Sequence, residues 1–410
     1  MSDNKHQVLI VGGGTAGITV ATSLRRQDTS LDIAIIEPAE YHYYQPAFTL
    51  VGAGAYNLEK TRRTVRSLIP DGITLIEASA TEFNPETNSL SISTGGEISY
   101  DYLIVCPGLE LNWGAIDGAD ALGSSGVCSN YSAQHVEYTW ECLQSVKPNS
   151  KLLFTQAPLP FKCPGAPQKI AYLAADYLRK KNQLENCELH FLTHGPALFA
   201  VPLFAGELNK VAARYDIQVH FQHNLVSIDA ANNRAEFEVV GGDNSGERLS
   251  MEFDMLHFTP SQSPPAAIRN STLANDAGYV EIDQHTMQHS RFSNVFALGD
   301  AGSTPNSKTA AAVRKQAPVV VQNLLAVMQN NAAQAQYDGY GSCPLTTGYG
   351  KVIMAEFVYG GKVTPTFPLD PRKERWINWW IKVTGLPLFY WSYMLKGFDK
   401  FFKHNTEFSE

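Results

Sequence analysis

Short apolar runs alternate with longer stretches of helical periodicity over most of the chain, which predicts buried parallel strands covered by helices. An apolar strand over residues 8–11 passes through a glycine-rich turn into a helix reaching Leu24, and a second strand follows at 32–36. Residues 74–80 read as a further strand, 89–100 as a hairpin, and 103–106 as a strand ending at the sharp Pro107-Gly108 turn. A second set begins near Gly114, with strands at 151–155, 188–192, 217–220 and 234–240 and helices at about 168–181 and 203–215. The pattern then returns to an apolar strand at 294–298, and a helix begins in the run from Lys308 to Ala312. These elements imply an α/β chain with two Rossmann-like dinucleotide-binding units. The first is expected to be discontinuous, over residues 1–113 and 261–342, the second to cover 114–260, and a C-terminal region to cover 343–410. A length of 410 residues suits two such units with an appendage.

The turn after the first strand carries Gly12, Gly14 and Gly17 in a GxGxxG spacing, with Thr15 and Ala16 inside it. Glycine lets the backbone approach a pyrophosphate, and the helix start supplies amide donors and a positive dipole end. Glu37 follows the second strand at the distance from which a carboxylate accepts hydrogen bonds from a ribose diol. Backbone groups near Ala80 are placed to meet an adenine. Late in the chain an apolar strand ends in Gly299-Asp300, whose carboxylate suits a ribityl hydroxyl. The start of the next helix, at Lys308, Thr309, Ala310 and Ala311, would point at a flavin ring. In this order the three signals favour FAD as the first cofactor.

Where the second unit would carry its own glycine turn, the chain reads KLLFTQAPLPFKCPGAPQK, with Cys163 before a Pro-Gly pair. The six cysteines, at 106, 128, 142, 163, 187 and 343, show no CxxC and no metal spacing, so no metal site is expected. Cys106, Cys142 and Cys187 read as packing thiols, and His194 as a loop histidine. A formal net charge of −8 argues against nucleic acid as a partner. The polar start at residues 1–7 has no secretory pattern, which suggests an intracellular chain.

Around Cys163 and Cys343 the sequence resembles the sulfide:quinone oxidoreductases, in particular the type II group that includes the animal mitochondrial enzyme. The stretches that carry the resemblance are HYYQPAFTLVGAG, GVCSNYSAQHVEYTW, FKCPGAPQKI, NVFALGD, SKTAAAV, YDGYGSCPLTTGYGKVIMAEF and the tail around FPLDPRKER. Together they span nearly the whole chain. The resemblance implies a disulfide-reductase-like flavoprotein fold in which Gln45, Ala80, Asp300 and residues 308–311 contact FAD. It further implies a Cys163–Cys343 redox disulfide: hydrogen sulfide attacks Cys343 to give a persulfide, and Cys163 leaves as the thiolate that reduces the flavin. The sulfane sulfur would pass to a small acceptor such as sulfite, glutathione or sulfide. The electrons would pass to ubiquinone or another membrane quinone, with the Phe357 ring as a candidate quinone contact. Cys128, in a V-C-S context that several members share, either relays sulfur or fills a loop.

The basic charge is concentrated at the end: residues 372–410 hold 7 Lys+Arg against 4 Asp+Glu. Four of the six tryptophans lie there, interleaved with Arg375, Lys382, Lys396 and Lys400. The longest uncharged run, 383–395, is too short for a membrane span and contains Gly385 and Pro387. The tail therefore reads as an amphipathic segment lying in lipid headgroups, a peripheral, monotopic attachment to a membrane, expected to be a bacterial inner membrane. Removing it is expected to release the protein from lipid with flavin retained. A homo-oligomer is compatible with the sequence. A type II NADH:quinone oxidoreductase would need a glycine turn near residue 156, where this chain has prolines. A cytochrome-coupled sulfide dehydrogenase subunit would need an export signal, and a non-catalytic persulfide carrier or redox sensor would not need both cysteines, a flavin set and a quinone-side tail together.

Overall fold

The computed structural model describes residues 4–398. The first apolar run is strand β1 (Lys5–Val11), which enters helix α1 (Thr15–Gln27) through the glycine turn. Strands β2 (Ile33–Ile36), β3 (Ile73–Ile76), β4 (Ala80–Asn84), β5 (Ser89–Ile92) and β6 (Glu97–Val105) complete a sheet in the order β3-β2-β1-β6-β5-β4. β1 is parallel to both β2 and β6, so Val8, Leu9 and Ile10 are covered on both faces and fully buried. Burying each such side chain contributes about 1.5–3 kcal/mol, which is why these strands are continuous apolar runs.

Residues 74–80 are not one strand. β3 ends at Ile76, the Ala78 amide folds back to the Ile76 carbonyl at 2.9 Å, and Ala80 opens β4 opposite Ile92. The small and polar residues Glu77, Ala78 and Ser79 make this turn. The second arm of the expected hairpin and the strand at 103–106 are instead one long strand, β6, because residues 97–99 pair β5 and residues 99–105 pair β1.

A second, fully parallel sheet has the order β7-β11-β8-β9-β10, formed by β7 (Val127–Cys128), β8 (Lys151–Gln156), β9 (Glu188–Thr193), β10 (Gln218–Phe221) and β11 (Met255–His257). Helix α2 (Ala166–Lys180) packs on it through Ile170, Leu173, Ala174 and Leu178. It begins earlier than the sequence suggests because Pro167 sits in its first turn, where the missing N–H costs no hydrogen bond. This brings the helix start to within three residues of Cys163. The chain returns to the first sheet with β12 (Val295–Ala297), parallel to β6, and then helix α3 (Ala310–Met328).

Two further features close the molecule over these sheets. β13 (Gly341–Gly348) and β14 (Lys351–Phe357) form an antiparallel hairpin with Cys343 opposite Ala355. The tail follows as a short helix (Trp376–Trp380), a π-helical turn (Ile381–Gly385) and helix α4 (Leu386–Ser392). Among the described residues no helix is long and apolar enough to cross a membrane. Lys400, one of the tail cations singled out above, lies outside the described residues.

Candidate active site

A cavity of about 740 Å³ opens between the glycine turn, the Cys163 loop and the tail helices. Gly12 has φ +109°, and a Cβ there would sit 2.4 Å from the Cys106 carbonyl oxygen; a Cβ at Gly17 would sit 1.8 Å from the Gly12 oxygen. Both glycines are needed by the turn itself. Gly14 differs, because a Cβ there would meet no protein atom within 4 Å. It caps α1 without a side-chain hydrogen bond, and Gly14, Thr15 and Ala16 line the cavity, so the positive end of α1 faces open space. That is the cradle a pyrophosphate requires. Glu37 is held beside this turn, its carboxylate accepting from the Gly13 amide at 2.7 Å and the Ala39 amide at 2.8 Å.

Gln45, Gly299, Asp300, Lys308, Thr309, Ala310 and Ala311 line the same cavity. Burial raises the Asp300 carboxyl against the opposing pull of Lys308 and Lys162. The buried Lys308 amine is pushed down to about 8 and donates to the Gly302 carbonyl at 2.9 Å. Thr309 caps α3 by accepting from the Ala312 amide at 3.2 Å, which turns a second helix start toward the cavity. These residues fit FAD. Ala80 lies outside the cavity lining, in the β4–β5 ladder, because the strand expected to end there ends at Ile76.

The thiol loop is tied to this wall by the Cys163 amide, which donates to the Lys308 carbonyl at 2.9 Å. Cys163 has φ +50° and leads into α2, whose cap is Gly165. A Cβ on Gly165 would sit 2.6 Å from the Cys343 sulfur, so the hairpin packs its cysteine directly on the helix start. The two thiols are near enough to shift each other's ionisation, and Lys169 Nζ donates to Cys163 Sγ at 3.3 Å. That thiol contact lowers Cys163 well below the usual range against the cost of burial, helped by the charges of Lys169 and Lys382, and it raises Cys343 together with burial. The Lys169 amine, although buried, is raised by its two sulfur neighbours.

Comparison with known proteins places this arrangement. Residues 6–142 match the pyridine nucleotide-disulphide oxidoreductase family. Over 396 residues the chain is 40% identical to the mitochondrial sulfide:quinone oxidoreductase of Mus musculus, covering 96% of this chain and 87% of that protein. The chain belongs to the sulfide:quinone oxidoreductases. The corresponding mitochondrial protein of Dictyostelium discoideum is 41% identical over 409 residues, covering 99% of this chain and 89% of that one. The solved sulfide:quinone oxidoreductase of Aquifex aeolicus shares the fold, with a TM-score of 0.78 at 20% identity over 96% of this chain and 92% of that chain. The chain is therefore a flavin-dependent oxidoreductase of the disulfide-reductase-like fold, with FAD as cofactor. The expected bacterial inner membrane gains no support, since the Mus musculus and Dictyostelium discoideum relatives are named mitochondrial.

In this sulfide:quinone oxidoreductase the β13–β14 hairpin is a partition. Cys343, Leu345 and Ala355 face the α2 side, whereas Ser342, Pro344, Met354 and Glu356 line the cavity. Phe357 shares the face of Cys343 and Ala355; its ring packs on Phe199, with centroids 5.8 Å apart, and does not line the cavity. The expected quinone contact thus points the other way, because strand parity assigns the cavity to Glu356. Cys128 also lies outside the lining, fully buried in β7.

Several residues that line or flank the cavity escaped the sequence reading. Lys382, counted there among the lipid-facing cations, is only 4% exposed and aims Nζ at the Pro46 carbonyl, 3.4 Å away. Tyr390 of α4 shares hydrogen bonds with Thr15 Oγ1 at 2.6 Å and His42 Nε2 at 2.5 Å, so the tail docks onto the first turn of α1. A cation six positions after a candidate redox cysteine at a helix start was the one available signal for Lys169. Among the described residues no three His, Cys, Asp or Glu side chains are grouped to hold a metal.

Proposed function

We propose that this protein oxidises sulfide through a Cys163–Cys343 disulfide and passes the electrons to a membrane quinone. The observation that carries the reading is the mutual contact of the two thiols, with Lys169 beside Cys163 and the Cys163 amide bound to the Lys308 carbonyl of the flavin wall. In the oxidised form HS⁻ attacks Cys343 Sγ; the S–S bond breaks, a Cys343 persulfide forms, and Cys163 leaves as a thiolate. Lys169 stabilises that leaving thiolate, which lowers the cost of breaking the bond. Attack of sulfite, glutathione or a second sulfide on the outer sulfur then frees the Cys343 thiolate, and loss of two electrons from the thiol pair restores the disulfide. FAD, held by Gly12, Gly14, Thr15, Ala16, Gly17, Glu37, Gln45, Gly299, Asp300, Lys308, Thr309, Ala310 and Ala311, supplies the two-electron carrier between thiols and quinone.

The quinone enters the apolar end of the cavity from lipid, on which the exposed Trp376, Ile377, Trp380 and Leu388 of the tail rest. The reading is tested by rapid mixing of the flavin-loaded protein. Sulfide should bleach the flavin of the wild type but not of Cys163→Ser, NADH should leave it oxidised, and a soluble short-chain quinone should restore the colour. Bleaching of Cys163→Ser by sulfide at the wild-type rate would remove the disulfide from the reaction.

A further inference from the structure

The cavity wall includes the apolar side chains Met354, Phe367, Trp380, Leu386 and Phe389, yet it also contains a buried carboxylate. Glu356 is 4% exposed and projects from β14 on the cavity face of the hairpin. Its Oε1 accepts from the Tyr340 hydroxyl at 2.5 Å and the Thr366 hydroxyl at 2.5 Å, and its Oε2 accepts from the Thr366 amide at 2.9 Å. The Tyr340 oxygen accepts in turn from Arg314 Nη2 at 3.1 Å. Lys315 Nζ stands 5.5 Å from the Tyr340 ring centroid, and the Asp338 carboxylate accepts from the Tyr340 amide at 3.0 Å. Burial, together with the Glu356 charge, raises the Tyr340 phenol, which keeps it a donor. An ionised carboxylate in apolar surroundings is costly unless donors converge on it, and here three do.

A quinone becomes a quinol by taking up two electrons and two protons. The electrons come from sulfide, but the protons must reach a chamber lined by aromatic and aliphatic side chains. We propose that Glu356 hands a proton to the quinone oxygen in this cavity, an inference that rests on reading the cavity as the quinone site. As the acid, Glu356 donates to the quinone carbonyl. When its O–H bond breaks and the quinone oxygen takes the proton, the carboxylate left behind is held by Tyr340 and Thr366. Those donors stabilise the charge that the transfer creates and need no rearrangement. A carboxylate has about four acceptor sites, so with three filled one remains for the new quinol hydroxyl. Water at the exposed edge beside Phe367, which is 42% exposed, returns a proton to the acid and supplies the second proton, which the other quinol oxygen takes.

The test separates the two half-reactions in Glu356→Gln and Glu356→Asp. In Glu356→Gln, bleaching by sulfide should stay within about twofold of wild type, while reoxidation by a soluble short-chain quinone slows by about 10²-fold or more. The wild-type pH dependence of reoxidation should flatten in Glu356→Gln and return in Glu356→Asp. Independently of turnover, calorimetry of a non-reducible quinone analogue in two buffers of different ionisation enthalpy should show proton uptake on binding to wild type and none for Glu356→Gln. A raised quinone KM with unchanged kcat and pH profile would make Glu356 a packing residue and overturn the proposal, as would equal slowing of both half-reactions. Failure of sulfide to bleach the wild type would instead strike the proposed function.

Discussion

At the scale of single residues, the Lys382 amine is brought down to about 7, first by burial and then by the like charge of Lys169, against the opposing pull of the two cysteines. The unfolded chain holds that proton up to about pH 10.5. Between these values the unfolded state binds the extra proton, so this residue costs most stability below about pH 7, and the cost fades as pH rises toward 10.5. Lys382→Met should therefore raise stability near neutrality, on the order of 2–4 kcal/mol, with the gain shrinking in alkaline buffer. Denaturant melts at two pH values check this; a gap that does not change with pH would show that the amine is not the source. Cys163 and Cys343 were legible in the sequence because prolines and glycines frame them and the resemblance pairs them. Lys169, Lys382 and Glu356 were not, since nothing in a sequence says whether a charged side chain turns inward.

At the scale of elements, strand and helix positions followed the apolar runs closely, because strands buried on both faces leave no alternative pattern. Register did not. The hairpin pairs Cys343 with Ala355, which puts Phe357 on the thiol face and Glu356 in the cavity, and no local signal fixes that parity. The same hairpin makes the thiol contact depend on one missing side chain. Adding a Cβ at Gly165 would place it 2.6 Å from Cys343 Sγ and 2.8 Å from Leu345 Cδ2. Gly165→Ala should push Cys343 away from Cys163 and slow bleaching by sulfide at least tenfold, about 1.4 kcal/mol of barrier, while flavin content is unchanged. Counting reactive thiols before and after mild oxidation should show the pair failing to close. A variant that closes its disulfide and bleaches normally would mean that the hairpin can shift to accommodate the methyl group.

At the scale of the whole molecule, the tail is both the proposed lipid contact and a wall of the cavity. Its inner face sends Tyr390 to Thr15 and His42, with the Tyr390 and Tyr44 ring centroids 4.7 Å apart at a tilt of 50°, and sends Lys382 to Pro46. Its outer face exposes Trp376 at 66% and Leu388 at 61%. These two faces have separable consequences. Deleting residues 372–410 removes the hydroxyl that holds the first residue of α1, so flavin should be lost along with membrane binding, contrary to the expectation from sequence that it stays. Trp376→Ser with Leu388→Ser leaves Tyr390 and Lys382 in place; each large side chain withdrawn from lipid forfeits about 1.5–3 kcal/mol of transfer free energy. The double variant should therefore fail to sediment with phospholipid vesicles, keep its flavin, and still bleach with sulfide at the wild-type rate. It should turn over a soluble short-chain quinone but not a long-chain quinone held in vesicles. Full sedimentation of this variant would assign the lipid contact to another surface, whereas flavin loss equal to that of the deletion would show that the outer face also holds the site together.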